Sequence, residues 1–272
     1  MLKKSPLGHS TVYVETYTPD LLFPIPRTLA RDKIGLSSTL PFKGVDIWSG
    51  YEISWLNLKG KPEIALADFT FPCTSTNVIE SKSFKLYLNS FNQSHFDKFS
   101  DVQKIIQKDL SAAAEAPVSV HLFPVTQLKH TNLEDFSGVC LDLLDIETNV
   151  YIVDKGLLKT DRTQPRANEQ LYTNLLKSNC LATGQPDWGS VLINYSGPRI
   201  DHEGLLKYLI SFRRHSGFGE HCIEQIFHDL LTECRPEKLT VYGRYTRRGG
   251  LDINPFRSNF ENEPANIRQF RQ

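Results

Sequence analysis

Two stretches, KLYLNSF (Lys85 to Phe91) and LKYLISF (Leu206 to Phe212), carry the reading of the fold. Both place Tyr, Leu and Phe on one helical stripe, and both are followed after a similar gap by Asp-Leu, at Asp109-Leu110 and at Asp229-Leu230. Any two amphipathic helices share a stripe. The common YLxSF with matched downstream offsets points instead to a duplicated unit.

Outward from these helices the surroundings match as well. Upstream of the first, Asp46 to Leu58 and Pro62 to Phe71 alternate aromatic or branched residues with polar ones, a hairpin turning at Lys59-Gly60-Lys61. A second helix follows, with Val102, Ile105, Ile106 and Leu110 at helical spacing, and Val118 to Phe123 reads as a strand. In the second copy a strand follows Trp188 and ends at Gly197-Pro198. A helix then starts after Asp201, a good N-cap, and carries Leu205, Tyr208, Leu209 and Phe212 on one stripe. Another helix runs from about Gly219 to Cys234, and the last clear strand is Lys238 to Thr246. A short helix is expected from Gln170. Each copy is hairpin, helix, helix, strand, an α+β class. The expected organisation is an N-terminal arm over 1–45, with turns around Pro24-Ile25-Pro26 and Leu40-Pro41. A first module covers 46–125, a connection with a couple of short strands 126–169, and a second module 170–272.

The totals narrow the function. The chain has 272 residues, 40% hydrophobic and 23% charged, enough for a full core. Its formal net charge is zero, so no long-range field gathers nucleic acid. No apolar run is long enough to span a bilayer, and MLKKSPLGHS has no apolar stretch behind its lysines, so it does not read as a secretory signal. Five scattered cysteines (Cys73, Cys140, Cys180, Cys222 and Cys234) argue against a disulfide framework and for a reducing compartment. Neither the cysteines nor the eight histidines fall at metal-ligand spacing, so no metal is expected.

The chemistry concentrates in SNCLATGQPDWGS (Ser178 to Ser190), where Cys180 precedes Asp187 across the turn-forming Gly184-Gln185-Pro186. A thiol and a carboxyl would flank one turn. An ionised Asp187 would disfavour a thiolate, so the pair makes more sense as a proton relay than as a static ion pair. A buried, inert cysteine and an aspartate that merely caps the turn are the plainer alternative. Glu80-Ser81-Lys82-Ser83 opens a helix with hydroxyls and an ammonium, the donors a phosphate needs, or else Ser81 or Ser83 simply caps it. Arg247-Arg248-Gly249-Gly250 sets two guanidinium groups beside glycines, which suits a phosphorylated cofactor or a basic surface turn. Glu220 sits at a helix start, where a carboxylate is favoured whatever its role. With Glu80 it could hold a ring bearing several N–H donors, such as a guanine-like edge.

With these pieces in place, the chain resembles the QueF family, the NADPH-dependent 7-cyano-7-deazaguanine reductases of queuosine biosynthesis, in the longer two-module form. The resemblance rests on ESKSFKLYLNSFN (Glu80 to Asn92), SNCLATGQPDWGS, YLISFRRH and YTRRGGLDINPFRSN (Tyr245 to Asn259), four motifs in order from about Asp46 to the C-terminus. It implies a tunnelling fold (T-fold), antiparallel sheets with two helices on one face, assembled as a homodimer or higher homo-oligomer in the cytoplasm, with no direct nucleic-acid or membrane partner. It further implies that Cys180 adds to the nitrile carbon to give a thioimide, with Asp187 as proton donor, and that two NADPH molecules in turn deliver hydride. Val78, Ile79, Glu80, Gly219 and Glu220 would hold the deazaguanine, and Ser81, Lys82, Arg248 and Gly249 the NADPH. The chain departs from the family at one place. The family reads Phe-His-Glu where this sequence has Phe218-Gly219-Glu220. A hydrolase similar to GTP cyclohydrolase I, which needs a Cys/His zinc site, and a silent purine- or pterin-binding scaffold of the same fold are the competing readings.

Overall fold

A computed structural model describes residues 13–36, 38–127, 133–181 and 183–272. The chain divides into two compact units. Among the described residues the first comprises 13–30, 46–127 and 247–252, and the second 31–36, 38–45, 133–181, 183–246 and 253–272.

In chain order the first elements are β1 (Pro24–Pro26), α1 (Thr28–Arg31), β2 (Lys43–Leu56), β3 (Pro62–Pro72), β4 (Asn77–Ile79), α2 (Ser81–Asn89), α3 (Phe99–Ala114) and β5 (Ser119–Pro124). The hairpin β2–β3 turns at Asn57–Lys61, where Gly60 takes a positive φ of 79°. β5, after the two helices, returns to pair antiparallel with β3. The core of this unit is aromatic. Phe84 of α2 packs its ring 4.9 Å from Phe69 and 5.5 Å from Trp48, so the stripe of α2 is seated on the face of the hairpin. Each such pair contributes about 0.5–1.5 kcal/mol beyond its buried area.

The second unit holds β6 (Val139–Cys140), β7 (Thr160–Asp161), β8 (Ala167–Asn179), β9 (Pro186–Gly197), β10 (Arg199–Ile200), α4 (His202–Ser211), α5 (Gly219–Glu233), β11 (Lys238–Tyr245) and β12 (Leu251–Ser258), the last beginning in the first unit. β8 and β9 form the hairpin, and β11, after the helices, pairs with β9. The order repeats that of the first unit. Side chains repeat too. Tyr87 Oη donates to Asp109 at 2.7 Å, and Tyr208 Oη donates to Asp229 at 2.7 Å. Ser90 and Ser211 each donate to the carbonyl three residues back, at 2.6 Å. The α+β class and the paired hairpin–helix–helix–strand order expected from the sequence are what the structure has. Among the described residues no helix is long and apolar enough to cross a membrane.

Three local expectations need correction. No helix starts at Gln170, because Ala167–Asn179 is a strand. A β-bulge between Thr173 and Leu176 breaks its alternation, and the apolar Leu171, Tyr172, Leu175 and Leu176 fall at the spacing of a helical stripe instead. Pro24-Ile25-Pro26 is not a turn but an edge strand, pairing antiparallel with Asn77 to Ile79, where a missing N–H on the outer side is tolerated. Leu251–Ser258 is a strand in its own right. Buried Asp252, Asn254 and Arg257 hide it from a hydropathy pattern.

Candidate active site

The β8–β9 hairpin closes at Cys180. Its N–H donates to the Gln185 carbonyl at 2.8 Å, and its carbonyl accepts from Gly184 N–H at 3.0 Å. Gly184 has φ 68°, a conformation that costs glycine nothing. Ser178 lies directly opposite Asp187 across the two strands. Directly paired residues share a face, so Ser178 and Asp187 point to the same side of the hairpin, and Cys180 follows at the start of the turn. Cys180 is buried and Asp187 half-buried.

Asn179 ties this turn to the loop before α5. Its N–H donates to the His215 carbonyl at 2.8 Å, and its carbonyl accepts from Gly217 N–H at 3.1 Å. Its Nδ2 reaches the carbonyls of Arg213 and His215 as well. The loop therefore delivers Gly219 and Glu220 beside the hairpin. Glu220, only 3% exposed, sits in the first turn of α5, where the helix dipole favours its charge. His221 packs edge-on against Phe218, with centroids 5.5 Å apart.

Buried groups surround this cluster. Burial pushes the Cys222 thiol up to about 12, an effect that the nearby Asp187 and Glu220 reinforce, so Cys222 stays protonated and is no nucleophile at neutral pH. Burial lowers the His215 pKa, which keeps that imidazole neutral. The ring of Tyr245 lies on the backbone of Gly219, where a Cβ would come 2.8 Å from Cε2.

In the first unit, Val78 and Ile79 are buried in β4, and Glu80 follows as the N-cap of α2. Its two carboxylate oxygens accept from Lys82 N–H at 2.6 Å and Ser83 N–H at 2.7 Å. The cap is thus neither Ser81 nor Ser83, and those two N–H groups serve Glu80 rather than a ligand. Ser83 Oγ instead accepts from Phe23 N–H at 3.0 Å. Burial raises the Glu80 pKa against these hydrogen bonds and the charges of Lys85 and Lys82. A carboxylate has about four acceptor sites, so half of them remain for another donor.

The Arg247–Gly250 turn belongs to this unit too. Arg247 stacks over Tyr51, 4.4 Å from the ring centroid, and Arg248 N–H donates to the Leu251 carbonyl at 2.9 Å. Gly249 and Gly250 take φ 60° and 75°. A Cβ on Gly249 would stand 3.1 Å from the Lys85 Cδ, so the turn lies against α2. The sequence-derived residues thus fall in two groups, Cys180, Asp187, Gly219 and Glu220 in the second unit, and Val78, Ile79, Glu80, Ser81, Lys82, Arg248 and Gly249 in the first. Lys85 and Tyr245 were not singled out. Each is brought in by a glycine far away in the chain, a signal that no local pattern carries.

The chain matches two family profiles, "Nitrile reductase, 7-cyano-7-deazaguanine-reductase N-term" over residues 13–122 and "QueF-like protein" over 186–264. It is 55% identical over 271 residues, 99% of each chain, to the NADPH-dependent 7-cyano-7-deazaguanine reductase of Paraburkholderia phymatum. It is 54% identical to the enzymes of that name from Burkholderia lata, over 269 residues and 98% of each chain, and Ralstonia nicotianae, over 271 residues and 98% of each chain. With its tunnelling fold of α+β units, the chain belongs to the family of NADPH-dependent 7-cyano-7-deazaguanine reductases.

Proposed function

We infer that this protein is an oxidoreductase that reduces the nitrile of 7-cyano-7-deazaguanine to the primary amine of 7-aminomethyl-7-deazaguanine, with NADPH, in queuosine biosynthesis. A nitrile is a poor hydride acceptor, and thiol addition makes it a better one. Cys180 Sγ forms a bond to the nitrile carbon while Asp187 protonates the nitrile nitrogen. Asp187 regains a proton from the thiol, so the net product is a thioimide with a C=N bond. NADPH supplies the hydride. The observation that supports this reading is the hairpin turn that starts at Cys180, two residues after the cross-strand pair Ser178–Asp187.

Glu80, with Val78 and Ile79, and Glu220, with Gly219, are the residues proposed to bind the deazaguanine, each carboxylate accepting from an N–H group. Both carboxylates are almost fully buried, which strengthens a hydrogen bond to a ligand that displaces water. The residues present fit NADPH. Lys82, Lys85, Arg247 and Arg248 belong to one unit, and the Gly249 backbone lies bare beside Lys85. Ser81, Lys82, Arg248 and Gly249 would hold its phosphates. A homo-oligomer in the cytoplasm completes the proposal, and light scattering on the purified protein tests its mass.

The test of the chemistry is an adduct. Protein mixed with 7-cyano-7-deazaguanine without NADPH should gain the substrate's mass on Cys180, and Cys180→Ala should not. With NADPH, two equivalents should be oxidised per amine formed. Tight purine binding without an adduct in the wild type would favour the silent scaffold.

A further inference from the structure

Two buried hydroxyls in the second unit have no hydrogen bond of ordinary geometry, Ser178 Oγ and Tyr245 Oη. Ser178 is fully buried and Tyr245 is 5% exposed. Both lie close to Cys222 Sγ and to each other, and both influence how Cys222 or Tyr245 titrates. Unsatisfied buried hydroxyls are rare, and a cluster of two beside a weakly bonding thiol marks a place where a partner is missing or an acceptor swings in.

Asp187 is the carboxylate whose charge acts on both Tyr245 and Cys222. Ser178 is its direct cross-strand partner, and Tyr245 pairs directly with Gly189, two residues further along β9 on the same face. The Tyr245 phenol feels the Asp187 charge, after burial and Cys222 the next influence on it. The ring is also held by a slot. A Cβ on Gly189 would lie 3.2 Å from its Cδ1, and one on Gly219 2.8 Å from its Cε2. Glycine on both sides lets a phenol stand where any larger residue at 189 or 219 would push it away.

We propose that Tyr245, with Ser178, is a positioning residue for Asp187, the two hydroxyls holding its carboxyl in the orientation that delivers a proton to the substrate nitrogen. This rests on the nitrile reductase reading. In the chain's own terms it gives Gly219 a purpose: it makes room for the tyrosine ring beside the proton donor.

The experiment is rapid mixing of 7-cyano-7-deazaguanine with enzyme in the absence of NADPH, following the thioimide absorbance. Tyr245→Phe should slow adduct formation by about 10- to 100-fold, part of what a general acid contributes. Substrate affinity, measured on a Cys180→Ala background, should change less than about threefold, since the proposed role is not in binding. Placed on Asp187→Asn, Tyr245→Phe should add no further slowing, because a group that acts through Asp187 has nothing left to position. Ser178→Ala should behave alike, a second variant should one of them fold poorly. Wild-type adduct with an undiminished rate in both variants would overturn the proposal and leave the reductase reading standing. Equal slowing on the Asp187→Asn background would also overturn it. No adduct in the wild type would instead sink the reading beneath it.

Discussion

Asn179 and His215 are joined by a 2.8 Å backbone hydrogen bond that fixes the residue next to Cys180 against the loop leading to Glu220. The side chain of Asn179 adds bonds to Arg213 and His215 carbonyls at 3.3 and 3.2 Å, and it accepts from Lys177 Nζ at 2.6 Å. The thiol and the carboxylate are thus set by one residue that does no chemistry.

Asn179→Ala keeps the backbone bond but loses the side-chain bonds. It should cost only about 0.5–1.5 kcal/mol in chemical denaturation, since Lys177 Nζ and the Arg213 carbonyl keep each other and the His215 carbonyl keeps the Asn179 N–H. Adduct formation should slow more than binding weakens, because a small misplacement of a nucleophile costs rate steeply. An unchanged adduct rate would show that the backbone bonds alone hold the turn.

The repeated tyrosines allow a comparison within one chain. Asp109 accepts from both Tyr87 and Tyr17 at 2.7 Å, whereas Asp229 accepts from Tyr208. Tyr87→Phe leaves Asp109 with a second phenol. Tyr208→Phe leaves Asp229 with Gln225, a weaker influence on it than the phenol, which should cost about 1–3 kcal/mol, and more than the Tyr87 variant. Urea denaturation of the two variants side by side decides it, and equal losses would contradict the cushioning by Tyr17.

The duplication was legible in the sequence because Tyr87 and Tyr208, Phe91 and Phe212, and Asp109 and Asp229 carry local, periodic information. Cys180 and Asp187 were legible as a pair since one turn joins them. Other features were hidden for physical reasons. The bulge at Thr173 to Leu176 broke the strand alternation and left Leu171, Tyr172, Leu175 and Leu176 at helical spacing, and the buried polar groups of Leu251–Ser258 masked another strand. Glu80 was read as a substrate ligand but not as the cap of α2, and the glycine slot around Tyr245 joins residues from three separate elements.

Acid should weaken the second unit through Glu169. Burial works against its charge, but hydrogen bonds from Tyr195 and His202, with the charges of His202 and Arg199, outweigh it and hold the carboxyl below its ordinary value of about 4.5. A lowered folded pKa means that the stabilisation is present above the unfolded value and is lost as pH falls through the folded one. Glu169→Gln should therefore be less stable than wild type at pH 7, by less than about 1 kcal/mol because the group is partly screened by solvent. The gap should close between about pH 5 and pH 3, the range of an ordinary carboxylate and below. Urea melts at pH 7, 5 and 4 measure it, and a gap that widens towards acid would reverse the assignment.

Gly219 offers a test in which the sign decides. It is the first residue of α5, and alanine in place of glycine inside a helix normally stabilises by about 0.5–1 kcal/mol. Here the added Cβ would stand 2.8 Å from Tyr245 Cε2 and 3.1 Å from Cδ2, ring carbons held between two strands and a helix that cannot yield as a chain end would. Overpacking of this kind costs about 1–3 kcal/mol, more than the helix gains. Gly219→Ala should therefore lower the melting temperature, by roughly 2–4 °C for each kcal/mol lost in a chain of this size. Gly219→His, the residue that the resemblance to the family leads one to expect here, should fare worse, because it adds an imidazole to the same collision. A rise in melting temperature in either variant would mean that the ring yields and that the histidine can be grafted back. A fall in both, with activity no higher than wild type, would mean that this chain has rebuilt the wall of its site around Tyr245.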